Sequence, residues 1–161
     1  LQDKITILGF MGEEVELKKG NAFNLNQKIY KPFYEFNDFQ FVMVMPKGTE
    51  DKVEELKTEL GSLGDISKWK FIYGEPDEIR ALFASLKTDI TLEDNLSTPF
   101  VFIVDKDKSL RGRKDDEGNG TKYGFNTTSV ADLNNKMEDD VKIIFAEYRM
   151  ALKKNNAERS K

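Results

Sequence analysis

Apolar positions along this chain switch between two spacings, and the switching predicts alternating strands and helices. Ile5-Thr6-Ile7-Leu8-Gly9-Phe10-Met11 is a short apolar run closed by Gly12 and the charged stretch Glu13 to Lys19, which is the form of a strand. Leu25, Ile29, Phe33 and Phe36 then recur at helical spacing, predicting a helix from about Ala22 to Phe36 that Pro32 should kink. Phe39 to Met45 is almost continuously apolar, as in a strand covered on both faces. Thr49 stands where it can cap a helix to about Leu60, whose inner side is Val53, Leu56 and Leu60. Trp69 to Tyr73 reads as a strand, and Gly74-Glu75-Pro76-Asp77-Glu78 starts a helix carrying Ile79, Leu82, Phe83 and Leu86.

A polar connection from Lys87 to Thr98 leads to Pro99 to Val104, the most apolar run of the chain. Asp105 to Lys108 forms a turn, and Ser109 to Arg113 should return antiparallel as a charged edge strand. Lys114 to Thr128 reads as a long exposed loop. Ser129, with Asp132 three residues on, can cap a last helix whose face is Val130, Leu133, Met137, Val141, Ile144, Tyr148 and Leu152. The order β-α-β-α-β-α-β-β-α predicts one α/β sandwich over residues 1–154, followed by a polar tail over 155–161. Its sheet is mostly parallel, ends in an antiparallel hairpin and is flanked by helices.

Composition changes this picture mainly by exclusion. The 161 residues contain no Cys and no His. Cysteine nucleophiles, disulfide exchange, Ser-His-Asp triads and His- or Cys-based metal sites are therefore outside the reach of these residues. A net charge of −4 favours neither nucleic acid nor a polybasic membrane contact. No apolar run approaches the length of a membrane span, and upstream of Leu1 an export signal or lipid anchor is compatible with the chain.

Trp69-Lys70-Phe71-Ile72-Tyr73-Gly74, followed by Ile79 and Leu82, resembles the W-x-F-x-x-G…I…L segment of the Sco/SenC copper chaperones and their thioredoxin-like relatives. Phe100 to Arg113 (FVFIVDKDKSLRGR) is similar to the same family's F-x-L-V-D-K-D-G-x-I-R-G hairpin, a pattern shared with TlpA-type proteins. The resemblance implies a thioredoxin-like fold and a location in the periplasm or cell envelope. It also implies a site built from two cysteines at the start of the first helix and a histidine shortly before the hairpin. That helix start is expected within Lys19 to Lys28. Setting Pro32 on the kink proline of thioredoxins puts Asn24 and Gln27 opposite the cysteine pair, and Asp105 puts Ser97 opposite the histidine. Thr98-Pro99 stands where thioredoxin-like folds carry a cis-proline.

Amide and hydroxyl groups hold copper poorly and cannot replace a thiol in disulfide exchange. The chain therefore reads as a redox-inactive domain without metal or cofactor, acting as a binding or scaffolding protein for an unknown protein partner or small ligand. The alternative is a ligand-binding protein or an enzyme of another class that reuses the vacated pocket through Asn24, Gln27, Tyr30, Ser97, Thr98 and Pro99. Asn21, Asn24, Asn26 and Gln27 either line that pocket or cap the helix toward water. Asp105-x-Asp107-x-Ser109 with Asp116 begins like a calcium loop, but Leu110 stands where such a loop requires glycine. Glu50, Asp51, Glu54, Glu55 and Glu59 fall on a solvated helix face. Phe23, Tyr30, Phe33, Tyr34, Phe36, Phe39 and Phe41 are core candidates, any exposed member of which would form a partner-binding groove.

Overall fold

The computed structural model describes residues 4–36, 38–86, 90, 92–106, 110–111, 124–128 and 133–159. Strands are β1 (Ile5–Phe10), β2 (Phe39–Pro46), β3 (Trp69–Gly74), β4 (Phe100–Val104), β5 (Leu110–Arg111) and β6 (Gly124–Asn126). They form one mixed sheet in the order β3-β2-β1-β4-β5, with β6 also on β4. β1, β2 and β3 pair in parallel, while β4 runs antiparallel to β1, β5 and β6. The α/β sandwich and its antiparallel hairpin thus stand as expected.

Alternation along the strands sends side chains to two cores. Ile5, Ile7, Phe39, Phe41, Met43 and Met45 face one layer, and Leu8, Phe10, Val42 and Val44 face the other. The first layer is covered by α1 (residues 15–33), by α2 (Glu50–Gly61) and by α4, in which a π turn (Leu133–Met137) runs into Glu138–Arg159. The second is covered by α3 (Pro76–Ser85), through Ile79 and Phe83, and by Leu96 of the following connection. With helices on both faces, β2 has every residue buried, which is why its sequence is a continuous apolar run. Gln40 is the polar exception, and its side chain donates to Thr6 Oγ1 in the register-matched position of β1 (2.9 Å).

Helix α1 departs from expectation. It begins with a 3-10 turn at Val15–Lys18, continues as α-helix over Lys19–Leu25, widens to a π turn at Asn26–Tyr30 and closes with Lys31–Phe33. The charged stretch before Lys19 is helical because Val15 is buried and the charges find partners on α2. Lys52 pairs with Glu16 at 2.6 Å and Lys19 with Glu59 at 3.0 Å. Pro32 distorts the helix as expected, and the distortion takes the form of the π turn. Its ring excludes the normal contact with the carbonyl four residues back, and one residue earlier Lys31 N–H bonds the carbonyl of Asn26, five residues back.

Three other expectations change. Thr49 does not cap α2 with its side chain, because its hydroxyl donates to the Pro46 carbonyl (2.8 Å). Within the stretch read as an exposed loop, Gly124–Asn126 is a strand on β4, held there by buried Phe125. Helix α4 runs through Arg159, so residues 155–159 continue it. The Ser129–Asp132 cap, and Asp107, Ser109 and Asp116 of the calcium-like pattern, lie outside the described residues. The carboxylates of α2 are on its outer face, and Val53, Leu56 and Leu60 are fully buried. Of the aromatic group, Tyr30, Phe33, Phe39 and Phe41 are core, while Phe23, Tyr34 and Phe36 are half-buried. Among the described residues no helix is long and apolar enough to cross a membrane.

Candidate functional site

The ends of β1 and β4 bring the first turns of α1 against the connection that precedes β4. Phe10 O accepts a hydrogen bond from Thr98 N (3.1 Å), Met11 bridges Ser97, and Glu13 N donates to Asn95 O (2.9 Å). This close approach requires glycine at position 12. Gly12 has φ of +75°, and a Cβ there would lie 2.5 Å from Asn95 O. The connection is a tight loop in its own right, with Glu93 N bonded to Ser97 O (2.9 Å) and Leu96 in the left-handed region (φ 67°) with its side chain in the core.

Ser97 is wholly buried, and its hydroxyl is committed inside the loop. It lies 2.7 Å from Glu93 Oε2 and 2.5 Å from Asn95 Oδ1. The Ser97 hydroxyl, and then the Lys18 ammonium 3.5 Å away, hold the Glu93 carboxyl below its ordinary range. Thr98 is also buried; its hydroxyl accepts from Phe100 N (3.2 Å). No cis peptide bond occurs among the described residues, so Thr98–Pro99 is trans.

The early start of α1 corrects the expected position of the first helix. Its N-terminus is formed by Glu14, Val15 and Glu16, and Asn24 and Gln27 stand well inside it, past its first two turns. Asn24 nevertheless reaches this region. Its amide donates to Thr127 O (3.1 Å), and Thr127 N donates to Pro99 O (2.9 Å), so Thr127 fastens α1 to the residue that opens β4. Gln27 is exposed and joins nothing at the site. Tyr30 is separate from the group: it packs among Phe41, Trp69 and Tyr34, and its hydroxyl oxygen accepts from Lys68 N (3.1 Å).

What remains between α1 and Thr98 is a cleft of about 20 Å³, lined by Met11, Lys18, Asn21, Leu25, Met43, Thr98 and Thr127 among others. That is room for roughly one water molecule. Asn21 lines the cleft, one of the two roles its sequence context offers, whereas no motif singles out Lys18 or Thr127. A lone Phe125 amid glycine and polar residues was the available signal for Thr127, since it marks a strand where a loop seemed to run.

No protein-family model matches this chain, and no curated protein matches it. Solved structures do. A putative electron transfer protein from Aquifex aeolicus is 17% identical and superposes with a TM-score of 0.58, over 89% of this chain and 78% of that one. The thioredoxin domain of a thiol-disulfide oxidoreductase from Bacteroides vulgatus is 15% identical, with a TM-score of 0.54 over 89% and 81%. A thioredoxin-family thiol:disulfide interchange protein from Chlorobium tepidum is 16% identical, with a TM-score of 0.53 over the same shares. At these identities the likeness shows the fold alone. The fold is thioredoxin-like, in a chain that has no cysteine.

Proposed function

We propose that this chain is a thioredoxin-like domain of the Sco/SenC kind that carries no thiol or copper chemistry and works by binding, as a scaffold for a protein partner. One observation supports the reading above others. Thr127, which lines the cleft between α1 and β4, is bonded to Asn24 and to Pro99, and Ser97, the residue before Thr98, is bonded to Glu93. A catalytic site keeps donors and nucleophiles open toward substrate. Here Ser97, Thr98 and Thr127 are spent on bonds within the fold, beside a cleft of about 20 Å³. The Sco/SenC resemblance of the WKFIYG and hairpin segments also carries the expectation of a periplasmic or cell-envelope location.

The test is a copper(I) titration against a chromophoric chelator, run beside a disulfide reductase assay on the same protein. The reading expects no stoichiometric copper and no turnover, and tight one-to-one copper binding overturns it. Reuse of the cleft by a small ligand would appear as specific thermal stabilisation in a compound screen, lost in Asn24→Ala.

A further inference from the structure

Beside the π turn of α1 lies a second cavity that shares no lining residue with the Thr98 cleft. It lies between Asn26, Tyr30, Lys31 and Tyr34 on the helix and the loop Leu63-Gly64-Asp65 after α2, with a volume of about 200 Å³. We infer that this cavity is a binding site for a flat, ring-sized molecule that presents a carbonyl or carboxylate oxygen. The inference is independent of the scaffold reading.

Size and walls set the ring. A cavity of about 150 Å³ accommodates benzene, and this one is larger. Tyr30 and Tyr34 stack at 5.5 Å with an angle of 16° between their planes, and Leu63 supplies an apolar face across from them. Aromatic and aliphatic walls of this kind favour a planar apolar body.

Asn26 sets the polar requirement. It is 2% exposed, and its Oδ1 accepts from Trp69 Nε1 (3.3 Å). An indole N–H can only donate, so the amide orientation is determined: the oxygen faces Trp69 and the Nδ2 group faces away from it. No hydrogen bond from that Nδ2 is found among the described residues, in a side chain that lines the cavity. A donor open to the cavity is satisfied by water, and a ligand oxygen would take that water's place. Asn26 and Tyr30, four residues apart on the helix, share one wall of the cavity. At the rim stands the Lys31 ammonium, which has no ion pair among the described residues and lies within reach of a carboxylate.

Trp69 is the only tryptophan in the sequence, and its indole N–H reports directly on Asn26. The experiment follows that single indole signal by ¹H–¹⁵N NMR while the whole chain is titrated with benzamide, with benzoate and, as a control without an acceptor, with ethylbenzene. A saturating shift with a Kd of about 1–10 mM is expected for the two acceptor-bearing rings, as suits ligands of about nine non-hydrogen atoms. Stronger binding of benzoate assigns the carboxylate and Lys31, and stronger binding of benzamide assigns a neutral carbonyl. Leu63→Trp, at a half-exposed position, should fill the mouth and weaken binding at least tenfold. Asn26→Asp keeps the acceptor for Trp69 and removes the free donor, with the same expected loss. An indole signal unmoved by either acceptor ring, an equal response to ethylbenzene, or undiminished binding in Leu63→Trp would overturn the assignment.

Discussion

Gly12→Ala tests most directly how the 95–97 loop is packed against the end of β1. The substitution puts a Cβ 2.5 Å from Asn95 O, 2.7 Å from Ser97 Cβ and 3.0 Å from Ser97 N, at a backbone φ of +75°. The left-handed conformation costs an alanine about 1–2 kcal/mol. Overpacking adds about 1–3 kcal/mol, because two of the three nearest atoms are backbone and cannot rotate away. The expected loss is therefore about 2–5 kcal/mol. With a urea slope of about 2 kcal/mol per molar, the unfolding midpoint should fall by about 1–2.5 M. Gly20→Ala is the matched control: Gly20 lies in α1 with nothing within 4 Å of its Cβ position. There alanine should stabilise the helix by about 0.5–1 kcal/mol and raise the midpoint. A Gly12→Ala midpoint within about 0.3 M of wild type would show that the 95–97 loop yields freely. In that case packing against Gly12 does not fix the loop that carries Ser97 and Thr98.

Two further outcomes are expected. Phe125→Ala should cost about 3–5 kcal/mol in the same unfolding assay, the range for a large buried aromatic, whereas a loop residue would cost almost nothing. Glu93 titrates below its ordinary value of 4.5, so the stability its ionised form contributes is present above that pH and is lost as pH falls through the lowered value. Ser97→Ala removes the largest cause of the shift and should move the Glu93 carboxyl upward toward 4.5, as read by carboxyl ¹³C NMR; an unmoved titration would show that Ser97 does not donate to it.

Where burial follows from local pattern, the chain was legible. β2 and β4 are apolar runs because helices cover both their faces, and α2 shows its inner stripe at Val53, Leu56 and Leu60 by spacing alone. The start of α1 was not legible, since Glu13 to Lys19 looks like a solvated linker until Lys52 and Glu59 stand opposite Glu16 and Lys19. β6 was hidden for a similar reason. Three residues with one apolar side chain make a strand only because β4 offers a free edge. Ser97 is located by the register that Asp105 sets with the family hairpin and Thr98 by the proline that follows it, while Asn24 is located without the partner that gives it a role.

The sequence by itself determined which chemistry is absent. Thiolate and imidazole cannot be made from other side chains, so a chain without Cys or His excludes their reactions however it folds. It also determined the buried stripes of α2 and α3, because a period of 3.6 residues belongs to the helical backbone. Only the tertiary structure decided what became of the polar groups left around the site. Asn24 meets Thr127 across 103 positions, and Trp69 turns the Asn26 amide from 43 positions away. A hydrogen bond needs its partners within about 3 Å in space and takes no account of their distance along the chain. Which groups are closed off, and which donor is left open, is therefore settled by packing.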